Sequence, residues 1–386
     1  MSGVGNGSRC PICDGGSTSE LVDLGWLPVF CNVLWPSREL ARDAPRGPLR
    51  LVVCEDCGMI WNSAFDPTLV SYDGGYENSL HFSPTFQRYA ERLVTRLVER
   101  YDLRGKTVVE IGSGRGDFLR MICAAGGNRG VGFDPAYDGP GTPVGDDVRF
   151  VSDLYSRAHA GVRADLVCCR HVLEHVEDPP AFVATVREAM GAGAVLYVEV
   201  PAAEYMLETA GVWDVIYEHC SFFTEPALRR LLETTGLEVL ETGRDFGGQY
   251  LWAEATPSRQ ATATGTDVSA IVGRARAFAG SSRSKVGEAG ELLEQRPAGS
   301  VALWGAGSKG VTFLNLVPAA ADIASVVDLN PHKHGRYVAG VGQPVLPPED
   351  LSRNRVETVL ITNPLYREEV ETRLADAGSE AEVLVV

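Results

Sequence analysis

Residues 108–118 constrain the fold more than any other part of this sequence. They read VVEIGSGRGDF, an apolar run that leads to Glu110 and then to three glycines at alternate positions, Gly112, Gly114 and Gly116. Valine favours a buried strand, and glycines allow a tight turn that brings backbone N–H groups close to a ligand. The segment therefore predicts a strand, a glycine loop and a helix, an arrangement that holds nucleotide-like cofactors in α/β proteins.

Apolar runs and helical patterns alternate along the next 140 residues. Strands are predicted at 107–111, 130–134, 148–151, 165–169 and 193–200, with an antiparallel pair near 237–243 and 249–256. Helices are predicted at 117–125, 179–190 and 224–235, after an amphipathic helix that starts near residue 82. Parallel strands joined by crossover helices predict a doubly wound α/β sheet.

Four of the nine cysteines form two C-x-x-C pairs, Cys10 with Cys13 and Cys54 with Cys57. Two thiolates from each tight turn suit the tetrahedral geometry of a structural Zn²⁺ ion, whose binding energy would help a small, loop-rich module to fold. Four sulfur ligands leave no open position for a substrate, so the predicted role of the metal is structural. Redox-active or simply buried cysteines are the alternative.

Composition limits the partners of the chain. A formal charge of −16 over 386 residues, with a pI near 4.9, argues against DNA or RNA as a partner, because nucleic acids are held by many phosphate contacts to basic residues. No signal-like segment is evident at the start, and no run approaches the roughly 18 apolar residues that span a bilayer. We expect a cytoplasmic protein without a membrane partner; the oligomeric state is not predicted.

Changes in composition and pattern along the sequence divide the chain into three predicted units. Residues 1–80 form the zinc-binding module, residues 81–256 the central α/β domain, and residues 257–386 a linker helix followed by a smaller Rossmann-like α/β domain. The last unit repeats the strand, glycine loop and helix pattern in VALWGAGSKG.

The first glycine loop reads G-S-G-R-G and departs from the G-x-G-x-x-G pattern of dinucleotide-binding domains. With Glu110 it resembles motif I of the class I S-adenosylmethionine (SAM) methyltransferases, E/D-x-G-x-G-x-G. Asp134 and Asp153 end the next two predicted strands, where they are predicted to meet the ribose hydroxyls and the adenine edge. The fourth strand runs into RHVLEH, which resembles the cofactor-side region of many SAM methyltransferases, and this resemblance implies that Arg170 and His171 lie near the methyl donor.

The order of motifs resembles that of the three-domain sugar C-methyltransferases of deoxysugar biosynthesis. The motifs are the four-cysteine module, EIGSGRG, HVLEH, EVP, IYEHCSFF and WGAGSKG, and the resemblance covers nearly the whole chain. It implies a structural zinc ion, SAM in the central domain, and a nucleotide-linked (TDP-type) keto-sugar in the cleft between the central and C-terminal domains.

Methylation of a carbon beside a ketone needs a base that removes the α-proton. His219 is the predicted base, and Tyr217 and Glu218 are its polar neighbours in the sequence. A hydrogen-bonded core role for His219 is the alternative. A metal pair formed by His171 and His175 is not favoured, because the H-E-x-x-H order is absent.

The family motif usually reads Y-H-E-H, whereas Ile216 occupies the tyrosine position here and Tyr217 the first histidine position. Tyr76 and His81 are therefore predicted to compensate by facing the cleft.

The second glycine loop is predicted to bind the substrate. Gly305, Gly307 and Gly310 fit G-x-G-x-x-G, Lys309 suits a diphosphate, and Asp328 ends the following strand. An NAD-dependent oxidoreductase is an alternative, but the residues from 301 onward are enough for only one mononucleotide-binding half. The unit is also compatible with a role in packing or dimerisation.

Two other functions stay open at this point. The same architecture suits an O- or N-methyltransferase that acts on another natural product. A non-catalytic protein that binds a sugar nucleotide is a third possibility.

Overall fold

A computed structural model describes residues 9–71, 76, 79–139, 147–258, 265–351 and 356–386. Within these residues the chain forms three β-sheets of four, seven and five strands.

The first sheet belongs mainly to the N-terminal module. Its antiparallel strands are β1 (Thr18–Pro28), β2 (Arg46–Cys54) and β3 (Ile60–Asn62), with a short helix α1 (Arg38–Arg42) after β1. The fourth strand comes from much later in the chain, where Ser221–Phe222 pairs with β3. The module therefore completes its sheet with residues that follow the predicted base.

The module is less loop-rich than the sequence predicts. β1 is 11 residues long but does not alternate strictly between polar and apolar residues. Irregularities in its pairing with β2, between Glu20 and Val22 and between Asp23 and Trp26, explain this, because a bulge shifts the period of two by one residue. Residues at such positions do not show the alternation by which strands are recognised.

The second sheet forms the central domain and has the order β10-β11-β8-β7-β4-β5-β6. Its strands are β4 (Thr107–Ile111), β5 (Arg129–Phe133), β6 (Val148–Val151), β7 (Ala164–Arg170), β8 (Met190–Pro201), β10 (Leu237–Asp245) and β11 (Tyr250–Pro257). The strand between β8 and β10 in the chain, β9 (Ser221–Phe222), belongs to the first sheet. The helices are α2 (Pro84–Arg100), α3 (Asp117–Gly126), α4 (Pro179–Ala189), α5 (Ala203–Glu208) and α6 (Glu225–Thr234). Strands β4 to β8 are parallel and β11 is antiparallel to both its neighbours, which confirms the predicted fold class.

The third sheet is parallel throughout and has the order β14-β13-β12-β15-β16. After the 26-residue helix α7 (Ser269–Glu294), its elements are β12 (Val301–Trp304), α8 (Ser308–Leu316), β13 (Ser325–Val327), β14 (Val345–Leu346), β15 (Thr358–Ile361), α9 (Arg367–Asp376) and β16 (Glu382–Val385). This is the smaller α/β unit that the second glycine loop predicts.

Helix α2 begins two residues later than the sequence pattern suggests. Ser83 caps it by accepting a hydrogen bond from the Phe86 N–H, and Pro84 follows at the first helical position. Glu369 from α9 also accepts bonds from the Ser83 hydroxyl at 2.7 Å and the Thr85 N–H at 3.0 Å. A carboxylate from the C-terminal unit therefore stabilises the first helix of the central domain.

The N-terminal module and the C-terminal unit share one hydrophobic core. Leu21 and Leu49 of the first sheet belong to the same buried cluster as Trp213 and Phe313. Arg46 adds polar contacts across the boundary, since it donates to the Asn315 side chain at 3.1 Å. The small module thus gains a core by packing against the rest of the chain.

None of the described helices is both long and apolar enough to cross a membrane.

We predict that Leu49→Ala lowers the free energy of unfolding by about 2–5 kcal/mol, because it leaves a cavity in the shared core. Leu49 is 0% exposed, whereas Leu40 on α1 is 49% exposed and serves as the matched control. Leu40→Ala should change stability by less than about 0.5 kcal/mol. Urea unfolding of both variants measures this, and equal losses would contradict the shared core.

Candidate active site

The first glycine loop connects β4 to α3 and has a backbone that only glycine adopts readily. Gly112 and Gly116 have φ values of 71° and 84°. A Cβ atom would lie 2.1 Å from the Val172 side chain at Gly112 and 2.1 Å from the Phe150 ring at Gly116. At Gly114 a Cβ atom would meet nothing within 4 Å, so the middle of the loop borders open space.

Asp134 lies directly beside this loop. Its carboxylate accepts hydrogen bonds from the Gly114 N–H at 2.8 Å and the Ala136 N–H at 2.9 Å. Asp153 lies beyond the end of β6, is largely exposed and is 3.4 Å from the His159 ring. The structure thus places Asp134 against the loop and Asp153 at the neighbouring strand end.

Glu110 is buried beneath the loop, with 3% of its surface exposed. Its Oε2 atom has no hydrogen-bond partner in the described part of the chain. Burial raises its pKa to about 8, although the charge of Arg170 lowers it. An unpaired buried carboxyl group is unfavourable, so this position suits a cationic ligand group.

Arg170 and His171 converge on a carboxylate that sequence reasoning missed. Glu199 at the end of β8 is fully buried and lies 2.9 Å from Arg170 Nη2 and 3.2 Å from His171 Nε2. Tyr197 donates to it at 2.8 Å and Tyr89 donates as well. Burial alone would raise the pKa of Glu199, but Arg170 and His171 lower it below its usual range. The E-V-P motif was the available signal for this residue.

His171 adopts a left-handed backbone, with φ of 53°. Burial lowers the pKa of its ring, but the carboxylates of Glu174 and Glu199 raise it to about 9. His171 is therefore protonated at neutral pH, and its charge is compensated within this cluster.

Tyr217 and Glu218 of the IYEHCSFF segment are both buried and both contact the N-terminal module. The Tyr217 ring is fully buried, and its hydroxyl accepts a hydrogen bond from the Asp66 N–H at 2.8 Å. The phenol is thus hydrogen-bonded to the backbone of the N-terminal module. Glu218 is also fully buried and accepts from the Cys31 N–H at 2.8 Å. Burial raises the pKa of Glu218 to about 7.

Tyr76 and His81 lie in different places. Tyr76 hydrogen-bonds to Glu218, and its hydroxyl accepts from Asn32 at 3.2 Å. His81 lies on the cofactor side, where burial lowers its pKa and the Asp117 charge opposes that shift. Of the two, Tyr76 is the residue near the predicted base.

His219 faces a second histidine, His175, which sequence reasoning did not select as a site residue. The ring centroids are 4.8 Å apart with the planes nearly perpendicular, at 81°. His219 Nδ1 has no hydrogen-bond partner among the described residues, and burial lowers the pKa of the ring well below its usual value. His175 Nδ1 lies 3.0 Å from the Glu218 carbonyl oxygen. Both imidazoles are therefore neutral near pH 7.

The second glycine loop repeats the hydrogen bonds of the first. Gly305 donates to the Val327 carbonyl at 2.7 Å, as Gly112 does to the Phe133 carbonyl at 2.8 Å. Asp328 accepts from the Ala306 N–H at 2.8 Å, as Asp134 accepts from Gly114.

Gly307 precedes α8, whose second residue, Lys309, points toward the central domain. Lys309 Nζ is 2.7 Å from Asp214 and donates to the Gln249 side chain at 3.0 Å. Gln249 also exchanges hydrogen bonds with Asn363. The Lys309 charge is therefore paired with Asp214, in the segment that precedes the predicted base.

The four cysteines of the C-x-x-C pairs come together, with all sulfur atoms within 4.8 Å of one another. The Cys10 and Cys57 sulfurs are 3.5 Å apart, and those of Cys13 and Cys54 are 3.6 Å apart. Thiolates around a tetrahedral Zn²⁺ ion, at about 2.3 Å each, lie about 3.8 Å from one another. A Cβ atom at Gly15 would be 3.1 Å from the Cys13 sulfur. The cluster can hold a tetrahedral metal ion.

Two family profiles match the chain. The profile described as "Methyltransferase domain" matches residues 85–242, and the profile described as "C-methyltransferase C-terminal domain" matches residues 279–386. Together the two matches support the predicted family: residues 85–242 carry a methyltransferase domain, and residues 279–386 match a C-methyltransferase C-terminal domain.

The C-methyltransferase NovU of Streptomyces niveus is a relative with 27% identity over 244 residues. The alignment covers 60% of this chain and 56% of NovU, so the chain spans about half the length of this curated relative.

Solved methyltransferase structures are similar to part of the chain. The 1,6-didemethyltoxoflavin-N1-methyltransferase of Burkholderia thailandensis has 18% identity and a TM-score of 0.34, and the match covers 44% of this chain and 78% of that one. The magnesium protoporphyrin IX methyltransferase of Synechocystis PCC 6803 has 19% identity and a TM-score of 0.35, with 45% and 80% covered.

Glu110 generates a prediction about pH. Its pKa of about 8 lies above the value of about 4.3 expected for the unfolded chain, so the stability from its protonated form is present at low pH. That stability is lost as the pH rises toward 8. Relative to Glu110→Gln, the wild type should lose up to roughly 1.4 kcal/mol per pH unit across this window. Urea unfolding at a series of pH values measures the difference, and parallel profiles would contradict the prediction.

Proposed function

We propose that this protein transfers a methyl group from SAM to a carbon beside the ketone of a nucleotide-linked deoxysugar, in the biosynthesis of a natural product. The observation that carries the proposal is the C-methyltransferase C-terminal domain at residues 279–386, together with a neutral His219 imidazole whose Nδ1 has no hydrogen-bond partner among the described residues.

The first glycine loop is the proposed SAM site. Gly112, Gly114 and Gly116 would let the cofactor approach the backbone, and the unpaired carboxyl oxygen of Glu110 suits its positive charge. Asp134 would accept the ribose hydroxyls and Asp153 would meet the adenine edge. When bound, SAM supplies an electrophilic methyl group, and its sulfur keeps the electron pair of the broken C–S bond.

Arg170 and His171 have a positioning role in this proposal. Both are held by Glu199 at the carboxyl ends of β7 and β8, which border the glycine loop. Their charges are already paired, so they shape the site more than they attract an anion. His81, on the same side near Asp117, would help to cover the cofactor.

His219 is the proposed base. Its lowered pKa keeps the ring unprotonated at neutral pH, so a ring nitrogen can take the α-proton of the keto-sugar and leave an enolate on the substrate. The enolate carbon then forms the new C–C bond, and the proton stays on His219 until it leaves to solvent. Glu218 and Tyr76 would orient the sugar or its enolate oxygen, whereas Tyr217 supports the segment from its bond to Asp66.

The nucleotide part of the acceptor is proposed to bind at the second glycine loop. Gly305, Gly307 and Asp328 reproduce the hydrogen-bond pattern of the first loop, which supports a ribose-containing ligand. Lys309 would contact the diphosphate if it exchanged Asp214 for the ligand. The four cysteines are proposed to hold a structural Zn²⁺ ion.

The test is incubation of the protein with SAM and a series of TDP-4-keto-6-deoxysugars. We expect S-adenosylhomocysteine and a product with a new C–CH3 group, both detected by mass spectrometry and NMR. Exchange of the substrate α-proton with deuterium, in the absence of SAM, separates this reaction from O- or N-methylation, which needs no acidic C–H. Absence of both products with every sugar would refute the proposal.

His219→Ala should lower turnover by roughly 100-fold or more, because it removes the base. The dissociation constant for SAM, measured by calorimetry, should stay within about twofold, because His219 is not part of the glycine loop. Deuterium exchange should fall with turnover. A parallel loss of SAM binding would instead indicate a structural role for the histidine.

Cys54→Ser should release zinc and lower the melting temperature, because three cysteine ligands hold the ion less tightly. Cys123→Ser is the matched control, since Cys123 is also buried but lies on α3 outside the cluster. After dialysis against metal-free buffer, metal analysis should find one tightly bound zinc ion per chain in the wild type and in the control. A metal-free wild type of normal stability would contradict the assignment.

A further inference from the structure

Glu174, His175 and His219 form a group of metal-binding side chains that the proposed methyl transfer does not require as a metal site. One ligand atom from each residue lies within 4.8 Å of the others. We propose that this group, the Glu174 site, binds a divalent transition-metal ion such as Zn²⁺ or Co²⁺ and that the bound ion blocks His219. The metal site stands by itself, whereas the blocking rests on the proposed function.

Glu174 gives the first reason. Its side chain is 1% exposed, and neither carboxylate oxygen has a hydrogen-bond partner in the part of the chain that the structure describes. Oε1 is ion-paired with His171, whose Nδ1 is 3.5 Å away, which leaves Oε2 as the oxygen without a partner. A buried carboxylate oxygen without a partner is costly, and metal coordination is one of the few ways to satisfy it.

The two histidines give the second reason. The Glu218 carbonyl can only accept a hydrogen bond, so its contact with His175 places the proton of that ring on Nδ1. This leaves the lone pair on Nε2, and such a bond to a carbonyl is the contact that orients metal-binding histidines. His219 offers Nδ1, which is buried and has no partner among the described residues.

The ligand set indicates the class of metal. Two imidazoles and one carboxylate suit Zn²⁺, Co²⁺ or Ni²⁺ better than Mg²⁺ or Ca²⁺, which prefer oxygen ligands. The His171 ring, 3.5 Å from Glu174 Oε1, competes with the ion for this carboxylate, so we expect weaker binding than at the four cysteines. A lone pair of His219 that is donated to the metal cannot accept the substrate α-proton, so filling the site should stop proton removal.

Metal counting tests the site without any turnover. The protein is titrated with Co²⁺ or Zn²⁺, dialysed at a fixed free metal concentration and analysed by mass spectrometry. We expect two ions per chain in the wild type and one in Glu174→Gln. The matched control is Glu177→Gln, an exposed carboxylate three residues away, which should keep two ions.

Cobalt spectra identify which ion is lost. Thiolate ligands give an intense charge-transfer band in the near ultraviolet, whereas histidine and carboxylate ligands give only weak visible bands. Glu174→Gln should lose the weak bands and keep the intense one. If Glu174→Gln does not fold, His175→Gln takes its place in the same measurement. A cobalt-saturated wild type without the weak bands, or a Glu174→Gln variant that keeps them, would overturn the site whether or not the four cysteines bind an ion.

Turnover tests the blocking. Filling the Glu174 site should lower the rate of methyl transfer at least tenfold, and dialysis against a weak chelator should restore it. Unchanged turnover with the site filled would overturn the blocking of His219. Because the ions are counted without substrate, absence of methyl transfer in the chelated protein contradicts only the proposed function.

Discussion

The segment that carries His219 is held by contacts from all three units, and the proposed chemistry depends on this. The Tyr217 hydroxyl bonds to the Asp66 backbone, and Thr312 of the C-terminal unit donates to the Val215 carbonyl at 3.3 Å. Ser221–Phe222 completes the sheet of the N-terminal module. Because these contacts lie on both sides of His219 in the sequence, all three units help to position the proposed base. A metal ion in the four-cysteine cluster would therefore act on the site indirectly, by stabilising one of its supports.

Buried carboxyl groups distinguish the supporting parts of the site from its binding parts. Glu199 is fully compensated by Arg170, His171 and two tyrosines, so it adds rigidity and needs no ligand. Glu110 and Glu174 each keep at least one oxygen without a partner among the described residues. Such groups reduce stability when nothing is bound, which is the usual cost of a preformed binding site. The carboxyl oxygens without partners mark where ligands are expected to bind.

Local patterns predicted much of this structure, and long-range contacts account for what they missed. The glycine loop, the order of strands and helices and the pairing of cysteines depend on residues close in sequence, and the structure reproduces them. The bonds of Tyr217 to Asp66 and of His175 to Glu218 join residues far apart in sequence, so no local pattern shows them. The length of β1 was hidden for a different reason, since its bulges break the alternation of polar and apolar residues.

The arrangement that suits His219 to proton removal also suits it to a metal. A neutral imidazole in a buried site is a good acceptor only if the positive charge that it gains is stabilised, and the nearby carboxylate of Glu174 can do so through its field. The same carboxylate, with the lone pairs of two neutral histidines, is a set of metal ligands. A proton and a divalent ion therefore compete for the same His219 lone pair and for the same stabilising carboxylate of Glu174. A substrate that fills the cleft would favour the proton, because the sugar would exclude the water or other ligands that a three-coordinate metal still needs.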